Sequence, residues 1–280
     1  GEARDDYRIL AEVAQLMGVE EKFTEGRDEE DWQRWLYEVT KQTAAKEGHE
    51  LPSYDAFRAK GWFMLPTPKK PNVLLSDFRA DPVKNHLLTP SGKIEIYSET
   101  IESYGYDDCA PHPCWYEPQE WLGSSDLGTK LHLLGNQPKS RLHSQLDHGA
   151  VSRATKIAGH EPVTINPIDA KIRGIKHGDI VQLSNSRGAC LCGANVSDEV
   201  MSGVLVVSTG AWFDPDYNQA SNISCKHGNP NVLTPDLGTS KLAQGPAAHS
   251  CLVEIEKWCG NSLAVTAFEP PAIEKSGISS

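Results

Sequence analysis

The chain lacks most of what would classify it quickly. In 280 residues no run approaches the roughly 18 apolar residues that a membrane-spanning helix needs, so no membrane span is expected. No GxGxxG follows a strand-like segment, and there is no Walker loop and no HExxH. The Gly-X-Ser-like contexts lack the strand–turn–helix setting of a nucleophile elbow, and no Ser/His/Asp set stands out. Positive charge is short: 27 Lys and Arg face 38 Asp and Glu, a net charge of −11. A general nucleic-acid or anionic-membrane binder would carry the opposite sign, so neither partner is expected. The seven cysteines are odd in number and irregularly spaced, which argues against a full disulfide framework. Cys190 and Cys192 fall on one face of a strand and, with no CxxC or HxxxH nearby, read as small buried residues. The chain opens GEARDDYRIL, a charged, helix-like start with neither an initiator methionine nor a secretory leader. The expectation is a piece of something longer.

What is present can build a core, at 39% hydrophobic residues. Residues 5–17 carry Leu10, Val13, Ala14 and Met17 at helical spacing, with Gly18 as the stop. Asp28 can cap a second helix that lines up Trp32, Trp35, Leu36 and Val39 and ends by Gly48. Ser53 can start a third with Tyr54 and Phe57, stopping near Gly61. The tryptophans read as packing residues. Residues 62–130 are rich in Pro and Gly and read as an extended connector anchored by Trp115, Tyr116 and Trp121. A strand is expected at Lys93–Tyr97 and a short helix at Glu99–Ser103. His112, beside two prolines, reads as structural. So long a connector suits a chain draped over a larger body.

The second half predicts a barrel-like β domain with small helices inserted. Strands are expected at Lys130–Leu134, Val163–Ile165, Ile180–Ser184, Ala189–Val196, Val204–Ser208 (buried on both faces) and Cys251–Glu256. Asn166-Pro167 should start a helix over Ile168–Arg173. Asn185–Gly188 is a hairpin signal. Two long loops interrupt the strands, 210–216 and 228–245. The second is rich in side-chain donors and acceptors, most of them neutral, among them Asn229, Asn231, Thr234, Asp236 and Gln244.

The stretch LHLLGNQPKSRLHSQLDHG, residues 131–149, stands out. An apolar strand stops at Gly135, and amides, hydroxyls, an imidazole and a guanidinium follow in one loop. Lys139, Arg141, Arg153 and Lys156 outnumber the one acid, Asp147, that precedes Glu161. In an acidic chain this reversal suggests an anion site, and the arginine fork suits phosphate. From the residues alone the chain reads as a binding domain for a phosphorylated heterocycle.

GNQPKSRLHSQ, EPVTINPIDAKIRGIKHGDIVQLSNSRG, NPNVLT, GTSKLAQG and AHSCLVEIEKW together resemble the C-terminal part of the molybdopterin oxidoreductases. The nearest branch is the S- and N-oxide reductases acting on trimethylamine N-oxide, dimethyl sulfoxide and biotin sulfoxide. GEARDDYRI, FTEGRDEEDW, SGKIEIYSETIESYGYDDCAPHPCW and the tail Leu263–Pro271 agree, so the resemblance covers nearly the whole chain.

The resemblance implies a mixed α+β chain: a double-psi β-barrel that binds the molybdopterin dinucleotide, preceded by a helical α/β remnant and a long connector. It divides the chain into 1–124 (the end of the α/β domains plus connector), 125–262 (the barrel) and 263–280 (a tail). The implied cofactor is one molybdenum held between two molybdopterin guanine dinucleotides. Its contacts would be Gly135, Asn136, Gln137, Pro138, Arg141, His143, Ser144, Asn231, Ala248 and His249. No catalytic or metal-ligating residue is expected in this chain, because the serine that ligates the metal and the substrate funnel lie before it. By itself the chain should then be inactive. Implied partners are the N-terminal remainder of the enzyme, an N-oxide or S-oxide substrate and a c-type cytochrome donor. The HPCWYEP segment and the tail lean towards trimethylamine N-oxide and the periplasm. Biotin sulfoxide and the cytoplasm are the alternative, and a stand-alone binding module is the alternative of another class.

Overall fold

The computed structural model describes residues 3–67, 71, 73–216 and 222–270. Residues 68–70 of the LPTPKKP segment, and Pro271 with the rest of the tail, lie outside these. The chain divides into two compact units, Gly1–Lys93 and Ile94–Ser280.

The first unit is helical: α1 (Asp6–Leu16), α2 (Glu20–Thr24), α3 (Glu29–Lys46), α4 (Tyr54–Lys60) and α5 (Ser76–Ala80). The expected starts are in place. Asp28 and Asp31 form a reciprocal capping box at α3, and the Ser53 hydroxyl accepts from the Ala56 amide at α4. The aromatic residues are its cement. Tyr37 stacks on Phe57 and meets Tyr54 edge-on, while Trp32 donates to the Tyr7 hydroxyl and lies under the Arg27 guanidinium. The apolar stripes, however, stay open: Leu10, Val13, Met17, Trp35, Leu36 and Val39 are exposed, and of the expected α1 face only Ala14 is buried.

The second unit begins with α6 (Glu99–Ser103), as expected. No strand forms at Lys93–Tyr97. Its alternating Ile94 and Ile96 are exposed, with no neighbouring strand to complete a ladder. From Leu131 the chain builds β1 (Leu131–Asn136), α7 (Ala150–Arg153), β2 (Pro162–Ile165), α8 (Pro167–Ile172), β3 (Ile180–Ser184), β4 (Ala189–Val196), β5 (Val204–Ser208) and β6 (Leu252–Lys257). Asn166 caps α8 through the Ile168 amide, with proline in the first turn.

The strands close into a mixed barrel in the order β1-β5-β2-β4-β3-β6. β1 runs parallel to β5 and β2 parallel to β4; the other pairings are antiparallel. Closure leaves no free edge. Inward positions alternate along each strand: Leu131 and Leu133, Val163 and Ile165, Val181 and Leu183, Leu205 and Val207, Val253 and Ile255. Burying each such side chain contributes about 1.5–3 kcal/mol. The thiols of Cys190, Cys192 and Cys225 are buried in this core as free cysteines. The hydrogen bond with the Cys190 thiol, then burial, push the Cys192 thiol well above its usual range, which keeps it protonated and inert. β5 departs from expectation: Val206 and Ser208 are only half-buried, because their side chains face outward.

Strand direction then fixes where the loops go. β1, β3 and β5 end, and β2, β4 and β6 begin, at the same rim. The connections 137–161, 185–188 and 209–251 therefore all gather there.

Candidate functional site

At this rim the outward face of the sheet meets the loop after β1. Outward side chains of β1 (Asn136), β2 (Thr164), β4 (Asn195) and β5 (Ser208) form a polar floor that Val206 of β5 interrupts. Gln137, Pro138, Lys139, Ser140 and Arg141 border it above, and Thr155, Glu161 and Glu199 complete the lining of a cavity of 260 Å³. The floor is internally organised. Ser208 donates to the Asn136 side-chain oxygen at 2.8 Å, and the Asn195 amide donates to Thr164 at 3.3 Å.

The loop beyond the cavity is held in an unusual backbone. His143 (φ 50°) and Leu146 (φ 58°) are left-handed without being glycine. Such residues persist where their surroundings over-determine them. Here Arg141 Nε donates to the His143 carbonyl at 2.9 Å, and the Trp212 indole donates to the Ser144 carbonyl at 2.7 Å. Gly210, itself at φ 86°, lets the chain after β5 approach so closely that a Cβ there would lie 2.1 Å from the His143 oxygen. His143, Ser144 and Gln145 are left exposed on this braced turn.

Beneath it lies a buried ionic cluster. The side chains of Arg141, Asp147, Lys156 and Glu161 are 1%, 0%, 2% and 3% exposed. Lys156 reaches Asp147 at 2.8 Å and also pairs with Glu161. Arg141 lies 3.3 Å from both carboxylates. Burial alone would raise the Asp147 pKa, but Lys156 and the Trp212 amide outweigh it and hold the carboxyl below its ordinary range. The next ring, His227, donates from Nδ1 to the Trp212 carbonyl at 3.0 Å, while its buried Nε2 has no hydrogen-bond partner among the described residues. Burial first, then the Lys156 charge, depresses its pKa to about 4, so this histidine is neutral.

The tail packs against the same region. Thr266 donates from backbone and hydroxyl to Asp214, Lys226 reaches the same hydroxyl, and Phe268 meets His227 edge-on.

Asn136, Gln137, Pro138 and Arg141 thus come together around the cavity, and Gly135 lies just before Asn136, where β1 ends. His249 lies beside Gly135, its ring 3.9 Å from where a Cβ would sit, and its carbonyl meets His132. His143 and Ser144 stand on the adjoining turn. Asn231, exposed in a 3-10 turn at Pro230–Val232, and Ala248 do not line this cavity. Thr164, Asn195 and Ser208 belong to the site although the loop's composition does not point to them. Their signal is a polar residue at an outward strand position. The basic excess dissolves in part: Arg141 and Lys156 are balanced inside by Asp147 and Glu161, and Arg153 lies over the Phe268 ring. Among the described residues no three His, Cys, Asp or Glu side chains gather as a metal site, and no helix is long and apolar enough to cross a membrane.

Residues 131–252, which hold the closed barrel and its rim loops, match the family described as molydopterin dinucleotide binding domain. Over longer stretches the chain is similar to reductases. It is 45% identical over 271 residues to the dimethyl sulfoxide/trimethylamine N-oxide reductase of Cereibacter sphaeroides, covering 96% of this chain and 33% of that protein. It is 45% identical over 263 residues to the biotin sulfoxide reductase of the same organism (94% and 35%). With the trimethylamine-N-oxide reductase of Haemophilus influenzae the figure is 42% over 274 residues (96% and 33%). The chain thus spans about a third of the length of these relatives. Among solved structures, acetylene hydratase from Pelobacter acetylenicus aligns with a TM-score of 0.63 at 20% identity, over 92% of this chain and 33% of that one, a likeness of fold.

Proposed function

We propose that this chain is the dinucleotide-gripping portion of a molybdenum oxidoreductase that reduces an N-oxide or S-oxide. Trimethylamine N-oxide is the favoured substrate, with dimethyl sulfoxide and biotin sulfoxide as alternatives. The supporting observation is the polar cavity roofed by Asn136–Arg141 within the segment that matches the dinucleotide-binding family. Its donor set fits the group: amides and hydroxyls for a heterocycle's edge, and an exposed lysine for phosphate. When bound, the molybdenum–molybdopterin guanine dinucleotide pair supplies two-electron oxygen-atom chemistry.

This chain's own residues bind and orient. Gly135, Asn136, Gln137 and Pro138 form the near wall and His143 and Ser144 the braced turn, with His249 beside Gly135 and Asn231 and Ala248 as proposed contacts outside this cavity. The proposed division is 1–124 as the end of preceding domains plus connector, 125–262 as the barrel and 263–280 as the tail. The proposed partners are the remainder of the enzyme and a c-type cytochrome donor, and the proposed compartment is the periplasm.

Analysis of the complete protein tests this reading. It is expected to carry molybdenum, to release GMP on acid hydrolysis, and to oxidise reduced viologen when given trimethylamine N-oxide. Protein with neither metal nor GMP would leave a binding module without redox chemistry. Faster turnover of biotin sulfoxide would move the substrate to the alternative.

A further inference from the structure

We infer that Arg141, although it borders the cavity, spends its guanidinium on positioning the rim loop and not on the ligand, and that Lys139 is the side chain that meets the ligand's phosphate. This rests on the dinucleotide reading above. The guanidinium is 1% exposed, and four of its five N–H groups are already committed. Nε donates to the His143 carbonyl (2.9 Å), Nη1 to Ser152 Oγ (3.2 Å), and Nη2 to Glu161 (3.3 Å) and the Thr209 carbonyl (3.0 Å). Its charge is committed as well. Two cations, Arg141 and Lys156, meet two carboxylates, Asp147 and Glu161, in one buried cluster. A phosphate could draw Arg141 away only by leaving Lys156 as the one cation between two buried carboxylates and the His143 and Thr209 carbonyls without this donor, which is unfavourable.

What Arg141 does hold is the loop. Its partners tie the left-handed residue His143 to the chain after β5 (Thr209), to α7 (Ser152) and to the start of β2 (Glu161). The orientation of His143, Ser144 and Gln145 follows from that tie. Lys139 is the opposite case. It is exposed, borders the cavity and has no carboxylate partner among the described residues. Its neighbours there include the neutral donors Gln137, Ser140, Asn195 and Ser208, beside two carboxylates: Glu161, already paired with Arg141 and Lys156, and Glu199.

The test uses the complete protein, with GMP released per molecule and thermal unfolding of the cofactor-free form as separate readouts. Lys139→Met should cut retained GMP roughly tenfold, the loss of one charge-assisted contact, and leave the cofactor-free melting temperature unchanged. Arg141→Met should lower that melting temperature, and adding Glu161→Gln should restore part of it by removing the stranded carboxylate. Arg141→Lys keeps the charge but cannot span the same partners. Well below its melting temperature, its amide exchange should rise across residues 142–147 while β1–β6 stay protected. Arg141→Met that melts like the parent yet loses its GMP would overturn the assignment. So would Lys139→Met with full GMP, or an Arg141→Lys loop as protected as the parent's. If Arg141→Met does not fold, the double variant and Arg141→Lys decide. A parent protein without GMP removes the dinucleotide reading and the Lys139 role together, while the unfolding and exchange results still decide what Arg141 does.

Discussion

Asp147 shows how much one side chain can carry in this rim. It accepts from Ser152 Oγ (2.9 Å), the Trp212 amide (3.0 Å) and Lys156 Nζ (2.8 Å), and it faces Arg141. Asp147→Ala leaves two buried cations with only Glu161 between them. The expected cost is about 3–5 kcal/mol, read as a lowered midpoint of urea unfolding. His227 makes a pH prediction. Its folded pKa is about 4 against an ordinary 6.5. Between those values the unfolded chain holds a proton that the folded one refuses, so stability falls as pH drops through this window. The full loss is on the order of 3 kcal/mol. Unfolding measured from pH 7 to pH 4 should lose that slope in His227→Leu relative to the parent. His160, also depressed by burial, adds to the slope and stays in both proteins. These roles were not legible in the sequence. The polar loop was visible because its residues are contiguous. The partners that bury Arg141 lie 6, 20 and 68 residues away, at Asp147, Glu161 and Thr209, and no local count of charges reveals them.

At the scale of elements, β3, β4 and β5 fall where their apolar residues put them, although β5 was expected to be buried on both faces and alternates instead, because only the inward positions of a closed barrel must be apolar. The same alternation misled at Lys93–Tyr97, where no ladder partner exists. The stripe of α1 was legible as a helix, but its burial was not, since a stripe says nothing about what covers it. The β5 exit carries a sharper test. Gly210→Ala combines a positive φ with a Cβ 2.1 Å from the His143 carbonyl, so the chain after β5 and the braced turn must move apart. A loss of about 1–3 kcal/mol is expected from the backbone conformation alone, with lowered retention of GMP by the complete protein. Gly193→Ala is a comparison within the barrel wall: its Cβ would fall 2.3 Å from that of Ile157, so the 150–161 segment would be pushed from β4. Its cost should appear in unfolding whether or not a ligand is present.

The two units of the molecule differ in how much they bury. The barrel encloses eighteen residues in one apolar cluster, while Ala14, Thr24, Tyr37 and Tyr54 are the buried residues of the first unit among those described. Amide exchange on this chain is therefore expected to be slowest in β1–β6 and fast throughout α1–α5, since local opening tracks buried apolar contact. Equal protection in both units would contradict it. The strand order was beyond the reach of local pattern, because pairing β1 with β5 and β2 with β4 joins segments far apart in the chain. That order has one further consequence. β1 starts and β6 ends at the pole opposite the gathered loops, so the backbone is threaded in and out of the barrel on one side. The chain on either side nevertheless returns to the loops: before β1, Glu120 pairs with Arg187 and accepts from the Leu252 amide, and after β6, Thr266 and Phe268 reach Asp214 and His227. A graft made at that pole would have to carry both straps with it to keep the loops fastened.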